Sequence, residues 1–181
     1  MQPIGPLMHE HRLIERMLGL MVKEAERIAA GGLPDVRFID AAVDFYRTYA
    51  DRCHHGKEEA ILFRELEKKP LSADERRILG ELVAEHVQGR ALVKAVAEAS
   101  AAVSCRDDAA VAAEIVPRLL RLAEFYPPHI VKEDKHFFFP VMRYFTREEM
   151  DAMLAEFDDA DRRLLHAKYA DLVTGYEAGQ G

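Results

Sequence analysis

Apolar residues recur at three- and four-residue intervals along nearly the whole chain, and no stretch alternates apolar and polar positions as a half-buried strand does. The pattern predicts an all-α protein. A first helix runs from about Pro6 to Ala29 and is ended by Gly31-Gly32 and Pro34; a second runs from about Asp35 to Lys68, before Pro70. Ser72-Ala73-Asp74-Glu75 has the capping-box form, in which a hydroxyl and a carboxylate satisfy each other's orphan backbone donors, and it opens a third helix ending near Ser104. The fourth extends from about Asp107 to Tyr144 and should be kinked or divided where Pro117 and Pro127-Pro128 remove amide donors. Thr146-Arg147-Glu148-Glu149 is a second capping box, starting a fifth helix that reaches about Tyr176. Four long helices joined by short connections predict an up-down antiparallel four-helix bundle over about residues 6–144. The fifth helix, about 146–176, then packs outside the bundle or at a homodimer contact, and residues 1–181 read as a single domain.

A bundle core is built from apolar side chains, because burying an ionisable group costs several kcal/mol unless it is paired or ligated. Polar residues on core faces therefore need a chemical reason. In the first helix the face through Leu7, His11, Ile14, Leu18 and Met21 is apolar except for His11, while His9 lies on the far side. The second helix offers two His-x-x-x-Glu pairs. Stepping by four through His54 gives Ala42, Tyr46, Ala50, His54, Glu58 and Leu62, whereas His55 shares its line with Arg47, Asp51 and Glu59. Helical phase thus places His54 and Glu58 on the core face and His55 and Glu59 on the solvated side, where they serve at the surface or as further ligands or outer hydrogen-bond partners of the site. His86 interrupts the apolar line of Leu79, Leu82, Val93 and Val96 in the third helix. In the fourth, Leu119, Leu122, Tyr126, His129, Glu133 and His136 share a face.

Two His-x-x-x-Glu pairs and two single histidines, distributed over four helices, match what a dinuclear site inside a bundle requires. Carboxylates bridge two cations while neutral imidazoles fill terminal positions, an N/O environment suited to iron, manganese or zinc. His136, nearly two turns beyond His129, is a further ligand, an outer hydrogen-bond partner or a neutral ring packed by Phe137 and Phe139, and Arg90, one turn beyond His86, requires a carboxylate or a bound anion beside it unless it reaches out to solvent. Tyr46, Tyr49 and Tyr126 line the pocket or fill the core.

Composition narrows the function. With 25 Lys+Arg against 32 Asp+Glu the formal charge is −7, and the basic residues alternate with acidic ones, so there is no electrostatic footprint for nucleic acid. No run is long and apolar enough to span a membrane, and MQPIGP has neither the charged nor the apolar region of a secretory signal, so a cytoplasmic location is expected. Two cysteines, Cys53 and Cys105, are too few for a disulfide framework and read as free thiols.

The chain resembles the hemerythrin-like, or HHE cation-binding, domains. The resemblance covers roughly Leu7 to Tyr144 and rests on Glu10-His11-Arg12, HHGKEEAILF from His54 to Phe63, Glu85-His86, and HIVKEDKHFFFP from His129 to Pro140. It implies a four-helix bundle with a non-haem diiron centre, His11, His54, His86 and His129 as terminal ligands, and Glu58 and Glu133 as bridging carboxylates. Oxygen-carrying members have a second third-helix histidine where this chain has Arg90, and end their last motif in aspartate one residue beyond the glutamate position. The ligand pattern is more similar to the repair of iron centres branch, associated with nitric oxide and oxidative damage. That branch carries an additional N-terminal cysteine-containing domain that this sequence lacks, so the metal site transfers and the cellular task does not. The implied function is binding of a small ligand, dioxygen, nitric oxide or peroxide, for sensing, iron handling or stress response, read by an unidentified protein partner. A diiron oxidoreductase or an iron storage and delivery protein is the alternative; the former needs an electron donor for which the chain has no flavin, haem or iron-sulfur motif.

Overall fold

The computed structural model describes residues 1–103 and 108–177, and all regular structure among them is helical. Helix α1 spans Ile4–Ala29. It ends because Gly31 takes a left-handed φ of +95°, which lets the Gly32 and Gly31 amides turn back onto the Arg27 and Ile28 carbonyls. Helix α2 occupies residues 36–67 and is capped by the Asp35 carboxylate, which accepts from the Phe38 amide at 3.1 Å. Helix α3, Ala73–Val103, opens on the predicted box, with Ser72 Oγ accepting from the Glu75 amide and the Glu75 carboxylate from the Ser72 amide. Helix α4 covers residues 108–141, and α5 spans Arg147–Glu177, with Thr146 and Glu149 forming the second reciprocal box.

The prolines do not divide α4. Asp108–Val131 is continuous α-helix through Pro117, Pro127 and Pro128, and the irregularity comes afterwards, where Lys132–Phe137 is π-helical before the α-helical Phe138–Val141. The same happens in α2, whose Tyr46–His55 and Glu58–Phe63 are π-helical between α-helical Val36–Phe45 and Arg64–Glu67. In a π turn the amide bonds five residues back rather than four, so each turn takes in one extra residue and the register of faces shifts.

Helices α1 to α4 form the antiparallel bundle, packing in the cycle α1 with α2, α2 with α3, α3 with α4 and α4 with α1. Two apolar clusters fill it. One contains Ile14, Leu18, Met21, Ile39, Tyr46, Val96, Leu119 and Tyr126; the other contains Ile4, Leu7, Leu62, Leu82, Phe137 and Phe138. His11 sits between Leu7 and Ile14, and His86 between Leu82 and Val93, so a polar layer separates the clusters. Helix α5 lies outside the bundle against α2. Met153 and Phe157 join the second cluster, and Glu156 and Lys168 pair with Arg64 and Asp44. No helix among the described residues is long and apolar enough to cross a membrane. Cys53 is a half-buried free thiol donating to the Asp161 carboxylate at 3.1 Å; Cys105 and the His166 side chain lie outside the described residues.

Candidate metal centre

All six side chains anticipated as ligands point into the polar layer: His11, Glu58, His86 and Glu133 are fully enclosed, and His54 and His129 nearly so. Around Glu133, His11 Nε2 lies 3.1 Å from one carboxylate oxygen, His129 Nε2 3.4 Å from the same one, and His86 Nε2 3.5 Å from the other. Glu58 is reached by His54 Nε2 and His86 Nε2, each at 3.4 Å. These spacings approach the roughly 3 Å between adjacent donors on one ion at about 2.1 Å.

His55 departs from the phase reading. It is buried, at 2 % exposure, rather than solvated, because the π-helical Tyr46–His55 shifts the register and brings two consecutive histidines to the core side. Its ring stacks on His86 at 3.9 Å between centroids. The donors form two groups, each with its atoms within 4.8 Å of one another: His55, His86 and His129, and His11, His54, Glu58 and Glu133. His136, by contrast, is exposed, within the π-helical Lys132–Phe137 whose buried residues are Glu133, Asp134 and Phe137. Tyr46 and Tyr126 pack in the core 5.1 Å apart, with the Tyr46 hydroxyl donating to the Ile14 carbonyl.

Each of the four anticipated imidazoles is held from behind by a carboxylate on the neighbouring helix. Nδ1 of His54 meets Glu10 at 2.9 Å, Nδ1 of His86 meets Glu59 at 2.7 Å, Nδ1 of His129 meets Glu85 at 2.9 Å, and Nδ1 of His11 meets Asp134 at 2.7 Å. The backing therefore runs once around the bundle, from α1 to α2, α2 to α3, α3 to α4 and α4 to α1. Every backing carboxylate also binds a cation from the helix whose histidine it holds: Lys57 for Glu10, Arg90 for Glu59, Lys132 for Glu85 and Arg12 for Asp134. Arg90 thus finds the carboxylates it requires, Glu59 and Asp51, each at 2.7 Å. Glu59 is a positioning group rather than a solvated bystander. His55 has a looser partner, with Nδ1 3.6 Å from Asp51.

Glu10, Glu85 and Asp134 carry no sign of this role in helical phase alone. The available signal is adjacency, because each backing carboxylate is the chain neighbour of a residue that points inward: Glu10-His11, Glu58-Glu59, Glu85-His86 and Glu133-Asp134. In the last pair the glutamate enters the centre and the aspartate orients His11, which accounts for the glutamate pattern here.

The electrostatics suit a cation. Burial and the nearby Glu133 push Glu58 well above the carboxylate range. Burial would do the same to Glu133, but His129, His11 and His86 around it outweigh that and hold it well below. Burial alone would depress His11, yet Asp134 and Glu133 lift it to about 9. For His54, burial and the neighbouring His11 win, and its pKa falls well below the ordinary value.

Ten atoms test whether the residues fit a metal. The Nε2 atoms of His11, His54, His86 and His129, both ring nitrogens of His55, and all four oxygens of Glu58 and Glu133 are buried without a hydrogen-bond partner. An unsatisfied buried polar group costs about 1–3 kcal/mol, so this many facing one volume are out of place in a merely structural layer and suited to ligating cations. A third cluster, Glu10, Cys53 and Asp161, differs: the buried Lys57 ammonium bonds both carboxylates and already supplies their cation. No curated protein matches the chain. Residues 2–139 match the model of the hemerythrin HHE cation-binding domain, about three quarters of the chain and all of the centre, and the chain belongs to that family.

Proposed function

We propose that the chain holds two iron ions between Glu58 and Glu133, with His11 and His54 serving one ion and His55, His86 and His129 the other. The pair binds dioxygen, nitric oxide or peroxide in a sensing, iron-handling or stress-response role. The observation that carries this reading is the set of ten unpartnered donors arranged as two imidazole groups about two carboxylates. Bound iron would supply Lewis acidity and one-electron redox chemistry at the centre.

The protein's own residues do the rest. Glu58 and Glu133 offset the charge of the cations in a layer closed by apolar clusters on both sides. Glu10, Glu59, Glu85 and Asp134 fix the Nδ1–H tautomers, which leaves each Nε2 lone pair facing inward. Five imidazoles and two carboxylates would hold the ions and would leave room beside them for a small ligand. Phe63, Phe137 and Phe138 wall the layer on one side and exclude bulk water.

Manganese and zinc share these ligands. The test is elemental analysis of protein purified anaerobically from iron-supplied cells, where about two iron atoms per chain are expected. A ratio near zero for every metal overturns the reading. Replacing His54 or Glu133 with Ala should abolish dinuclear loading, and His55→Ala should lower it as well, whereas His136→Ala should leave it intact. Stoichiometric, reversible uptake of nitric oxide or dioxygen supports a binding module. Steady consumption of ligand with a supplied reductant makes the protein an oxidoreductase, and iron release to an acceptor makes it a storage protein.

A further inference from the structure

Of the four cations behind the imidazoles, one is unlike the rest. The side chains of Arg12, Arg90 and Lys132 are 52 %, 37 % and 26 % exposed, whereas that of Lys57 is 1 % exposed. The difference is α5, which lies over Lys57: Asp161 accepts from its ammonium at 3.0 Å, and the Phe157 ring centroid stands 5.8 Å from it. Enclosing an ammonium is costly unless carboxylates compensate it, and here Glu10 and Asp161 do so together. The other three backing carboxylates take their cations from within the bundle.

Helix α5 is seated on the part of α2 that carries the ligands, with its main contacts on the π-helical Tyr46–His55 and Glu58–Phe63. Its apolar grip comes from Met150, Met153, Phe157 and Ala160. Beyond them a cleft of about 350 Å³ opens between α2 and α5, lined by Tyr49, Cys53 and Leu164, and it is bridged by polar contacts of Asp161 and Lys168. An element held by so few apolar side chains can lift while the bundle stays folded. From α5 to the centre the bonds run unbroken: Asp161 to Lys57, Lys57 to Glu10, and Glu10 to Nδ1 of His54 at 2.9 Å.

We propose that docking of α5 and cation binding at the centre reinforce each other, with Asp161 a positioning residue that acts through Lys57 and Glu10 on His54. The proposal rests on the metal reading above and adds to it an element, outside the matched family region, that carries metal occupancy to the protein surface. With α5 docked, Glu10 is fixed against His54 in a water-poor setting; with α5 lifted, water reaches Lys57 and Glu10 and weakens their hold on the ring. Linkage then requires a bound cation to favour docking by the same factor as docking favours the cation.

Ferrous iron is the probe, supplied anaerobically to the full-length chain, with affinity measured by competition with a chelator and α5 followed by amide hydrogen exchange. In the metal-free wild type α5 should exchange ahead of α1 to α4, and iron should slow that exchange about five- to tenfold. Asp161→Asn should lower iron affinity by a comparable factor, and Asp161→Glu should recover it. Glu156→Gln, which removes only the exposed pair with Arg64 on the same helix, should leave affinity at the wild-type value. A purely structural Asp161 would move the unfolding midpoint and leave the affinity of the folded chain alone. Wild-type affinity in Asp161→Asn, or α5 exchange indifferent to iron, overturns the coupling while the metal reading stands. A wild-type chain that takes up no iron overturns the metal reading and the coupling together.

Discussion

Glu133 and Asp134 are consecutive carboxylates with different tasks. Glu133 is wholly enclosed among three imidazoles, while Asp134 sits at the edge of the layer between His11 and Arg12. On every helix of the bundle one of two neighbouring residues enters the layer while the other backs an imidazole, and this yields a prediction about affinity. Glu85→Gln keeps a hydrogen-bond acceptor for His129 but removes the charge that holds its Nδ1 and pairs with Lys132. Iron affinity, measured by competition with a chelator, should fall about 10- to 100-fold with the helical content unchanged, because such outer partners tune rather than make the site. Affinity equal to wild type would mean that the carboxylate collar is packing only. His11, His54, Glu58, His86, His129 and Glu133 were legible in the sequence because each breaks an otherwise apolar line. Of the backing carboxylates only Glu59 stands beside a candidate ligand pair in the sequence pattern; Glu10 and Glu85 stand where a solvated face is expected, and only contacts between helices reveal their use.

At the scale of the elements, the boundaries follow local chemistry that a sequence displays: Asp35 as a cap, Gly31-Gly32 as a stop, and two capping boxes that form as their residues suggest. Helical phase is harder to read, because a π turn leaves no composition mark and shifts every later side chain. His55 is misplaced for that reason, and Lys57, next to it in the same helix, is enclosed as well. That lysine is 1 % exposed, with its ammonium held between Glu10 of α1 and Asp161 of α5. Burial would lower the lysine pKa, but the two carboxylates outweigh it and raise it, so the charge is kept. This pair couples α5, which lies beyond the matched family region, to the carboxylate behind His54. Lys57→Met would leave Glu10 buried without its cation. Denaturant unfolding should show a loss of about 3 kcal/mol, the cost of breaking one partner of a buried ion pair. The companion Asp161→Asn, at the half-exposed end of the same chain of contacts, should lose well under half as much. Equal losses would place the stability in the α5 contact rather than in Glu10.

Across the whole molecule, the two apolar clusters would make one continuous core if the layer between them were apolar. The bundle instead keeps two carboxylates and five imidazoles there, an arrangement that trades stability for a binding site. The trade has opposite signs in the two states of the protein. Bound cations favour the folded chain through mass action, by about 4 kcal/mol when metal stands a thousandfold above its dissociation constant. Chelation should therefore lower the thermal midpoint by roughly 10 °C for a chain of this size. Glu58→Met removes a buried carboxyl whose oxygens have no partner and replaces it with an apolar side chain of similar length. This variant should melt above the metal-free wild type and below the metal-loaded one, and it should gain nothing from added iron. A variant less stable than the metal-free parent would mean that Glu58 supports the fold on its own account. The crossing of the two midpoints would mark the layer as one kept for its ligands, because only a cation makes Glu58 the better residue at that position.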